Sequence, residues 1–339
     1  MTKRLSDIPL SVLDLAPVVA GGTISQSFKN SLDLAQHVEK WGFHRYWLAE
    51  HHNMPGIASS ATSVVIGYIA AGTSKIRVGS GGIMLPNHAP LVIAEQFGTL
   101  ESMYPGRIDL GLGRAPGTDQ LTAQALRRQL RSDGHDFPEL LEELQGFFNP
   151  GPEIKRVRAY PGEGLDVPIW LLGSSGFSAQ LAAELGLPFA FASHFSPDHT
   201  IPAIELYQRR FKPSDSLEKP YAMVCVNVIA ADTTERAKWL FTSIQQQFLN
   251  LVRNRPSLLS PPIDNIEDLW SPFERSAIEQ QLRTSIVGDK ETVKEKLEIF
   301  LSETGADEIM INSHIYHQED RLRSFEIISE LIDEQRKGN

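Results

Sequence analysis

The sequence has very little cysteine: Cys225 is the only one in 339 residues. One thiol excludes an intramolecular disulfide and a multi-cysteine metal site. Cys225 lies in the apolar run 223–230, where it reads as buried filler. Long apolar runs are missing as well. No stretch approaches the roughly 18 apolar residues needed to cross a membrane. The charged and polar residues 1–9 have no apolar segment behind them, so no signal peptide is expected and the expected location is cytoplasmic. A basic excess is also absent. The 42 acidic residues outnumber the 32 basic ones and give a net charge of −10, which argues against a nucleic acid or an anionic membrane as partner. An anionic small ligand stays open, because a few local arginines can hold one inside an acidic protein. No biased tract or repeat longer than a strand–helix unit is visible, and the composition (41% hydrophobic, 22% charged) is that of an ordinary globular chain.

The pattern that is present is alternation. Short apolar runs at 10–15, 45–49, 76–82, 108–112, 168–172, 189–192, 222–229 and 308–312 read as strands. Their near-continuous apolar character suits a parallel sheet covered on both faces. Helix-periodic segments fall between them, at 27–41, 62–71, 178–185 and 290–304. Each is followed by a glycine (Gly42, Gly72, Gly186, Gly305), expected as a left-handed stop. Eight strands with intervening helices predict a (β/α)8 TIM barrel, and residues 1–339 are read as one domain. Two excursions interrupt it. Residues 115–167, after strand 4, carry a helix near 138–148. Residues 232–287, after strand 7, carry helices at 233–253 and 265–283 around the proline-rich 255–262. An open doubly wound sheet is the alternative, but no Gly-x-Gly-x-x-Gly follows the first strand, where such a sheet would carry it.

In a barrel of this kind the active site gathers where the strands end at their carboxyl side. Strand 2 ends in Ala49-Glu50-His51-His52-Asn53, which offers general acid/base groups or metal ligands. Neighbouring residues on an extended strand face opposite ways, so one metal held by both histidines is the weaker reading. Strand 3 contains Gly79-Ser80-Gly81-Gly82. Three glycines in four positions point to a distortion or a close approach of backbone to ligand rather than a plain turn. Strand 4 leads to Arg114, suited to a phosphate or carboxylate, or else to an ordinary surface ion pair. Strand 5 opens a helix through Gly173-Ser174-Ser175-Gly176-Phe177-Ser178, whose free N–H groups would make an anion site with Arg114. Strand 6 is followed by Ser193-His194-Phe195, and His52, His194 and Phe195 are candidates for a substrate pocket.

Together these segments resemble bacterial luciferase and its relatives. The resemblance runs through Gly42-Phe43-His44-Arg45-Tyr46-Trp47-Leu48-Ala49-Glu50-His51-His52-Asn53 and Ile76-Arg77-Val78-Gly79-Ser80-Gly81-Gly82-Ile83-Met84-Leu85-Pro86. It continues through Ala94-Glu95-Gln96-Phe97, Pro105-Gly106-Arg107-Ile108-Asp109-Leu110-Gly111-Leu112-Gly113-Arg114 and Ile169-Trp170-Leu171-Leu172-Gly173-Ser174-Ser175. It covers most of the chain and is strongest to the uncharacterised luciferase-like proteins that lack the partner subunit of true luciferase. It implies a flavin-dependent monooxygenase in which reduced FMN, supplied by a separate flavin reductase, and O2 oxidise a small organic substrate.

Carried over residue by residue, the resemblance makes His51 the catalytic acid/base. It puts the family's non-proline cis peptide, packed against the flavin ring, at Gly81–Gly82. The phosphate falls to Arg114 and to Gly173, Ser174, Ser175, Gly176 and Ser178. An ordinary histidine pKa near 6.5 would suit His51 to either proton role. The family's pairing through its first helices implies a homodimer, and its mobile active-site loop falls in 232–287. Ser174 stands where true luciferase has an acidic residue and Gly113 where it has a cysteine, so light emission and the aldehyde substrate are not carried over. The alternatives are a deazaflavin-dependent hydride-transfer enzyme, a non-catalytic flavin-binding protein on the same barrel, and, more distantly, a metal-dependent hydrolase using Glu50, His51 and His52.

Overall fold

The apolar runs do form parallel strands. The structure is a computed structural model and describes residues 3–115, 119–126, 136–151 and 157–337. In chain order the elements are β1 (Leu10–Asp14), α1 (Ile24–Lys40), β2 (Arg45–Leu48), α2 (Thr62–Ala71), β3 (Arg77–Met84), α3 (Pro90–Met103) and β4 (Ile108–Gly113). Then come α4 (Gln120–Leu126), α5 (Phe137–Phe148), β5 (Ile169–Gly173), α6 (Gly176–Leu185), β6 (Phe189–Phe191), α7 (Thr200–Arg210) and β7 (Ala222–Ala230). The chain continues with α8 (Thr234–Val252), α9 (Pro272–Gln281), β8 (Ile286–Gly288), α10 (Lys290–Thr304), β9 (Glu308–Asn312) and α11 (Gln318–Lys337). Strands β1 to β7 lie side by side in sequence order, and β9 fits between β7 and β1. The pairings β6–β7, β7–β9 and β9–β1 are all parallel and close the sheet. This is a (β/α)8 barrel, and closure disposes of the open-sheet alternative.

Three details differ from expectation. The short strand β8 was not legible; it pairs with the outer end of β7, Val228 against Ile286, beyond the stretch that β9 occupies. The helix expected over 265–283 is a 3-10 turn at Ile266–Asp268 and then α9, which starts at Pro272. Proline suits the first helical turn and not the interior, and Ser271 with Glu274 forms a capping box there. Gly72 is not left-handed (φ −95°). A Cβ at that position would meet the end of the Leu32 side chain, with Cδ1 at 2.3 Å, which would have to shift. Gly42, Gly186 and Gly305 do have positive φ. Within the first excursion, 116–118, 127–135 and 152–156 lie outside the described residues.

Every second strand residue points into the barrel, and these residues form layers. At the amino-terminal end Arg45 bridges Asp109 (Nη1–Oδ2, 2.7 Å) and Glu308 (Nε–Oε1, 2.8 Å), all three buried. Arg77, Trp47, Ser11 and Tyr221 donate to the same two carboxylates. Burial alone would lower the Arg45 pKa, but Glu308 and Asp109 raise it instead. Above this lies an apolar layer that includes Leu13, Trp47, Trp170, Met223, Cys225 and Met310. Trp47 and Trp170 meet edge to face at 5.2 Å, and the Arg45 guanidinium sits 4.7 Å over Trp170. A larger apolar core between the strands and the helices surrounds the barrel. It encloses one charged contact: Asp14 of β1 accepts from Arg321 of α11 (2.8 Å), from the Tyr46 hydroxyl and from the Ala16 N–H. No described helix is long and apolar enough to cross a membrane.

Candidate active site

A cavity of about 360 Å³ opens at the carboxyl ends of the strands and is roofed by α8 and the segment after it. Its wall follows from β3. The register of β3 against β4 shifts between Ser80 and Ile83, and the Gly81–Gly82 peptide is cis. A Cβ on Gly82 would lie 2.7 Å from the Gly111 carbonyl oxygen, and one on Gly111 only 2.1 Å from that of Ser80. Glycine is therefore required for the two backbones to approach, and Gly81, Gly82 and Gly113 line the cavity as bare main chain. The glycine cluster is a strand distortion and not a turn.

One end of the cavity is built for an anion. Arg114, Gly173, Ser174, Ser175 and Ser178 meet there. The Arg114 guanidinium lies 4.3 Å over the Phe177 ring and has no carboxylate partner among the described residues, so the surface ion pair considered from sequence is not made. Ser175 occupies the N-cap of α6 but its side chain makes no capping hydrogen bond. The hydroxyl and the first helical N–H groups are thus left for a ligand. Gly173 is obligatory here, since a Cβ would sit 2.7 Å from the Ser178 Cβ. Gly176 is the first residue of α6 and is not among the residues that line the cavity.

The floor is polar and uncharged. His51, His194 and His314 all line the cavity. Burial lowers the pKa of His51 and of His194 to about 4 and that of His314 to about 3. The sequence-based expectation of an ordinary value for His51 is therefore not met, because charging any of these rings without a partner would cost desolvation energy. The Nδ1 atoms of His51 and His194, the Nε2 atom of His314, and the Oδ1 atoms of Asn227 and Asn312 are buried with no hydrogen-bond partner within the described protein. His314 Nδ1–H donates to Gln247 Oε1 of α8 at 2.8 Å.

The pair of histidines after β2 is split, although both lie beyond the strand's end at Leu48. His51 faces the cavity; His52 does not line it and donates to buried Glu50 (Nε2–Oε1, 2.8 Å). His88 reaches the same carboxylate at 2.9 Å, and the Met84 N–H at 3.1 Å. Burial opposes charge on Glu50, yet these hydrogen bonds bring its pKa down to about 2. So His52 is not a pocket residue, and the set with metal-ligand spacing is Glu50, His52 and His88, without His51. Its members already satisfy one another. His194 and Phe195 do line the cavity, as expected. His314, Asn227, Asn312 and Gln247 were missed. The available signal was parity: Glu308, Met310 and Asn312 face inward, and His314 is the next step in that series.

A barrel with this distorted third strand, an anion end and a neutral histidine floor defines a class that comparison identifies. The family model for luciferase-like monooxygenases matches residues 9–308, and the chain belongs to that family. It is 65% identical to an uncharacterised protein of Bacillus subtilis, YvbT, over 96% of this chain and 97% of the relative. It is 57% identical to the luciferase-like monooxygenase of Escherichia coli (strain K12), over 96% and 98%, and 33% identical to the N-acetyl-S-alkylcysteine monooxygenase of Bacillus subtilis, over 96% and 98%. Among solved structures, apo-MsnO8 superposes with a TM-score of 0.85 at 34% identity, covering 97% of this chain and 98% of that one. The FMN complex of the oxygenating constituent of 3,6-diketocamphane monooxygenase from Pseudomonas putida has the same fold (TM-score 0.73, 17% identity, 96% and 98% covered). So does an F420-dependent secondary alcohol dehydrogenase (TM-score 0.70, 14% identity, 96% and 99% covered). The chain is thus a member of an oxidoreductase family.

Proposed function

We propose that this protein is a monooxygenase that uses reduced FMN and O2 to oxidise a small organic substrate. The observation that carries the reading is the half-buried Arg114, without a carboxylate among the described residues, facing the uncapped loop 173–178 across one end of the cavity. A dianionic phosphate satisfies both sides. The rest of the cavity fits a flat ring system, since Gly81, Gly82 and Gly113 present main chain without side chains. Bound reduced FMN supplies the two electrons with which one oxygen atom enters the substrate and the other leaves as water. The residues do the remainder. Arg114, Ser174, Ser175 and Ser178 hold the phosphate, and α8 excludes bulk water. His51, held neutral by burial, accepts and returns a proton at the ring nitrogen that faces the cavity.

The reduced flavin comes from a separate reductase, and residues 1–339 act as one domain, because the second excursion supplies both β8 and the cavity roof. A homodimer through the first helices is supported by Val64 and Tyr68 of α2 and Val92 and Met103 of α3, apolar side chains between 42% and 71% exposed. The deciding experiment is anaerobic titration with reduced FMN, with the reduced deazaflavin coenzyme in parallel. Binding of reduced FMN alone, followed by oxygen-dependent substrate oxidation, is expected. A preference for the deazaflavin would move the reaction to hydride transfer. Binding without turnover across a broad substrate panel would leave a flavin carrier.

A further inference from the structure

Among the described residues the side chains of Asp14, Glu50, Asp109 and Glu308 are the carboxylates with no solvent exposure at all. Three of these are matched by a guanidinium: Asp14 by Arg321, Asp109 by Arg45 and Arg77, and Glu308 by Arg45. Glu50 is the exception. No described lysine or arginine forms an ion pair with it, and its partners are the Met84 N–H and two imidazoles. A buried carboxylate without a fixed cation is costly, and the usual remedy is a paired charge or a metal ion. Two neutral imidazoles supply no fixed charge. They do supply nitrogen ligands.

The geometry suits that use. One carboxylate oxygen of Glu50 and one ring nitrogen each from His52 and His88 lie within 4.8 Å of one another. His52 Nε2 is 2.8 Å and His88 Nε2 2.9 Å from Glu50 Oε1. Ligand atoms held about 2.1 Å from a tetrahedral zinc ion stand roughly 3.4 Å apart, so the side chains need to part by only about half an ångström. The ion takes the place of the two Nε2 hydrogens, each ring then carrying its proton on Nδ1. The His52 and His88 side chains are 15% and 26% exposed, which gives water a way to the open side of the ion.

We infer that Glu50, His52 and His88 form a binding site for a divalent transition-metal ion of the zinc type, completed by solvent. Two imidazoles with one carboxylate favour such an ion over Mg2+ or Ca2+, which take oxygen ligands. The ion ties the loop after β2 to the turn after β3. His51, between two of the ligands, and Met84, four residues before the third, both line the cavity. The ion is thus a clamp on the cavity wall, and the inference does not depend on which cofactor the cavity takes.

The test is calorimetric titration of the EDTA-treated full chain with Zn2+, repeated with Co2+ to read the ligand set from its visible absorption. One Zn2+ per chain should bind with a Kd at or below about 1 µM, and Mg2+ in excess should not displace it. Saturation should also raise the melting temperature, since the ion binds the folded chain. His88→Gln still offers an N–H to Glu50 but lacks the ring nitrogen, so it should fold and bind Zn2+ at least about 10-fold more weakly. His52→Gln should do the same, whereas His51→Ala should leave the affinity nearly unchanged. Absence of stoichiometric binding by the native protein, displacement by Mg2+, or equal affinity in both glutamine variants would overturn the proposal. So would a loss confined to His51→Ala, which would place the ion in the cavity instead.

Discussion

The two ends of the barrel interior are both polar, yet they are opposite in kind. At the amino-terminal end the groups are charged and every carboxylate is engaged: Arg45 reaches Asp109 and Glu308, and Arg77, Trp47, Ser11 and Tyr221 complete the set. At the carboxyl end Arg114 is the one ionic side chain lining the cavity among the described residues, the cavity floor is neutral, and several of its side-chain oxygens and ring nitrogens are without partners there. Strand alternation places both sets inward, so inward placement of a polar side chain says nothing by itself about function. Satisfaction does. A closed network spends its polar energy on holding the fold together, whereas an open one has been left for something that arrives later.

That contrast can be broken most forcefully from below. Asp109→Ala strands the buried Arg45 charge, and urea denaturation should show a loss of roughly 3–5 kcal/mol; a loss under about 1 kcal/mol would mean that the network holds little. At the other end His51→Ala should leave stability and flavin affinity nearly unchanged while turnover drops roughly a hundredfold or more. A large loss of flavin binding would refute that division of roles.

A smaller effect separates the ends by pH. The folded-state pKa values of His51, His194 and His314 lie below the ordinary 6.5. The unfolded chain therefore takes up protons that the folded chain refuses. Their contribution to stability is whole above pH 6.5 and falls as the pH drops toward about 4. Each such proton gives a slope of about 1.4 kcal/mol per pH unit, so His314→Phe should flatten the decline of the urea midpoint between about pH 7 and pH 5 by roughly one proton's share. An unchanged slope would show that His314 protonates freely in the fold. The mildest test is Ser175→Ala. An ordinary N-cap serine is worth about 1 kcal/mol, but this hydroxyl caps nothing, so the change should stay within about 0.5 kcal/mol by thermal denaturation while phosphate affinity falls.

Much of the fold was legible because its signals are local. Continuous apolar runs mark the strands, and β9 at Glu308–Asn312 and α10 at Lys290–Thr304 fall where the pattern puts them. Three-residue β8 gives no periodic signal and exists because β7 has an outer edge left to pair. In the site, His51, Arg114 and the glycine and serine loops stood out because such residues at strand ends have few structural uses. Asn227, Asn312 and His314 did not, since a polar residue at the end of an apolar strand resembles an ordinary strand terminus until its partners are known. Gln247 was hidden more deeply: nothing along α8 distinguishes it from Gln245 or Gln246, and only the packing of that helix over the cavity gives it a role. Adjacency in sequence suggests shared work for His51 and His52, where the loop after β2 turns one to the cavity and the other to Glu50.

The contact between Asp14 and Arg321 spans 307 residues, and it has a bearing on how the chain comes to be made. Asp14 leaves the ribosome 307 residues before the guanidinium that neutralises it. β1 also waits for β9, its partner from Leu10↔Ile309 to Leu13↔Asn312. Until those residues are made, β1 is an unfinished edge carrying an unmatched charge, and closure of the ring waits for β9 and α11. A message truncated just before α11 would yield a chain with every strand of the barrel present and a carboxylate on β1 with no cation to receive it.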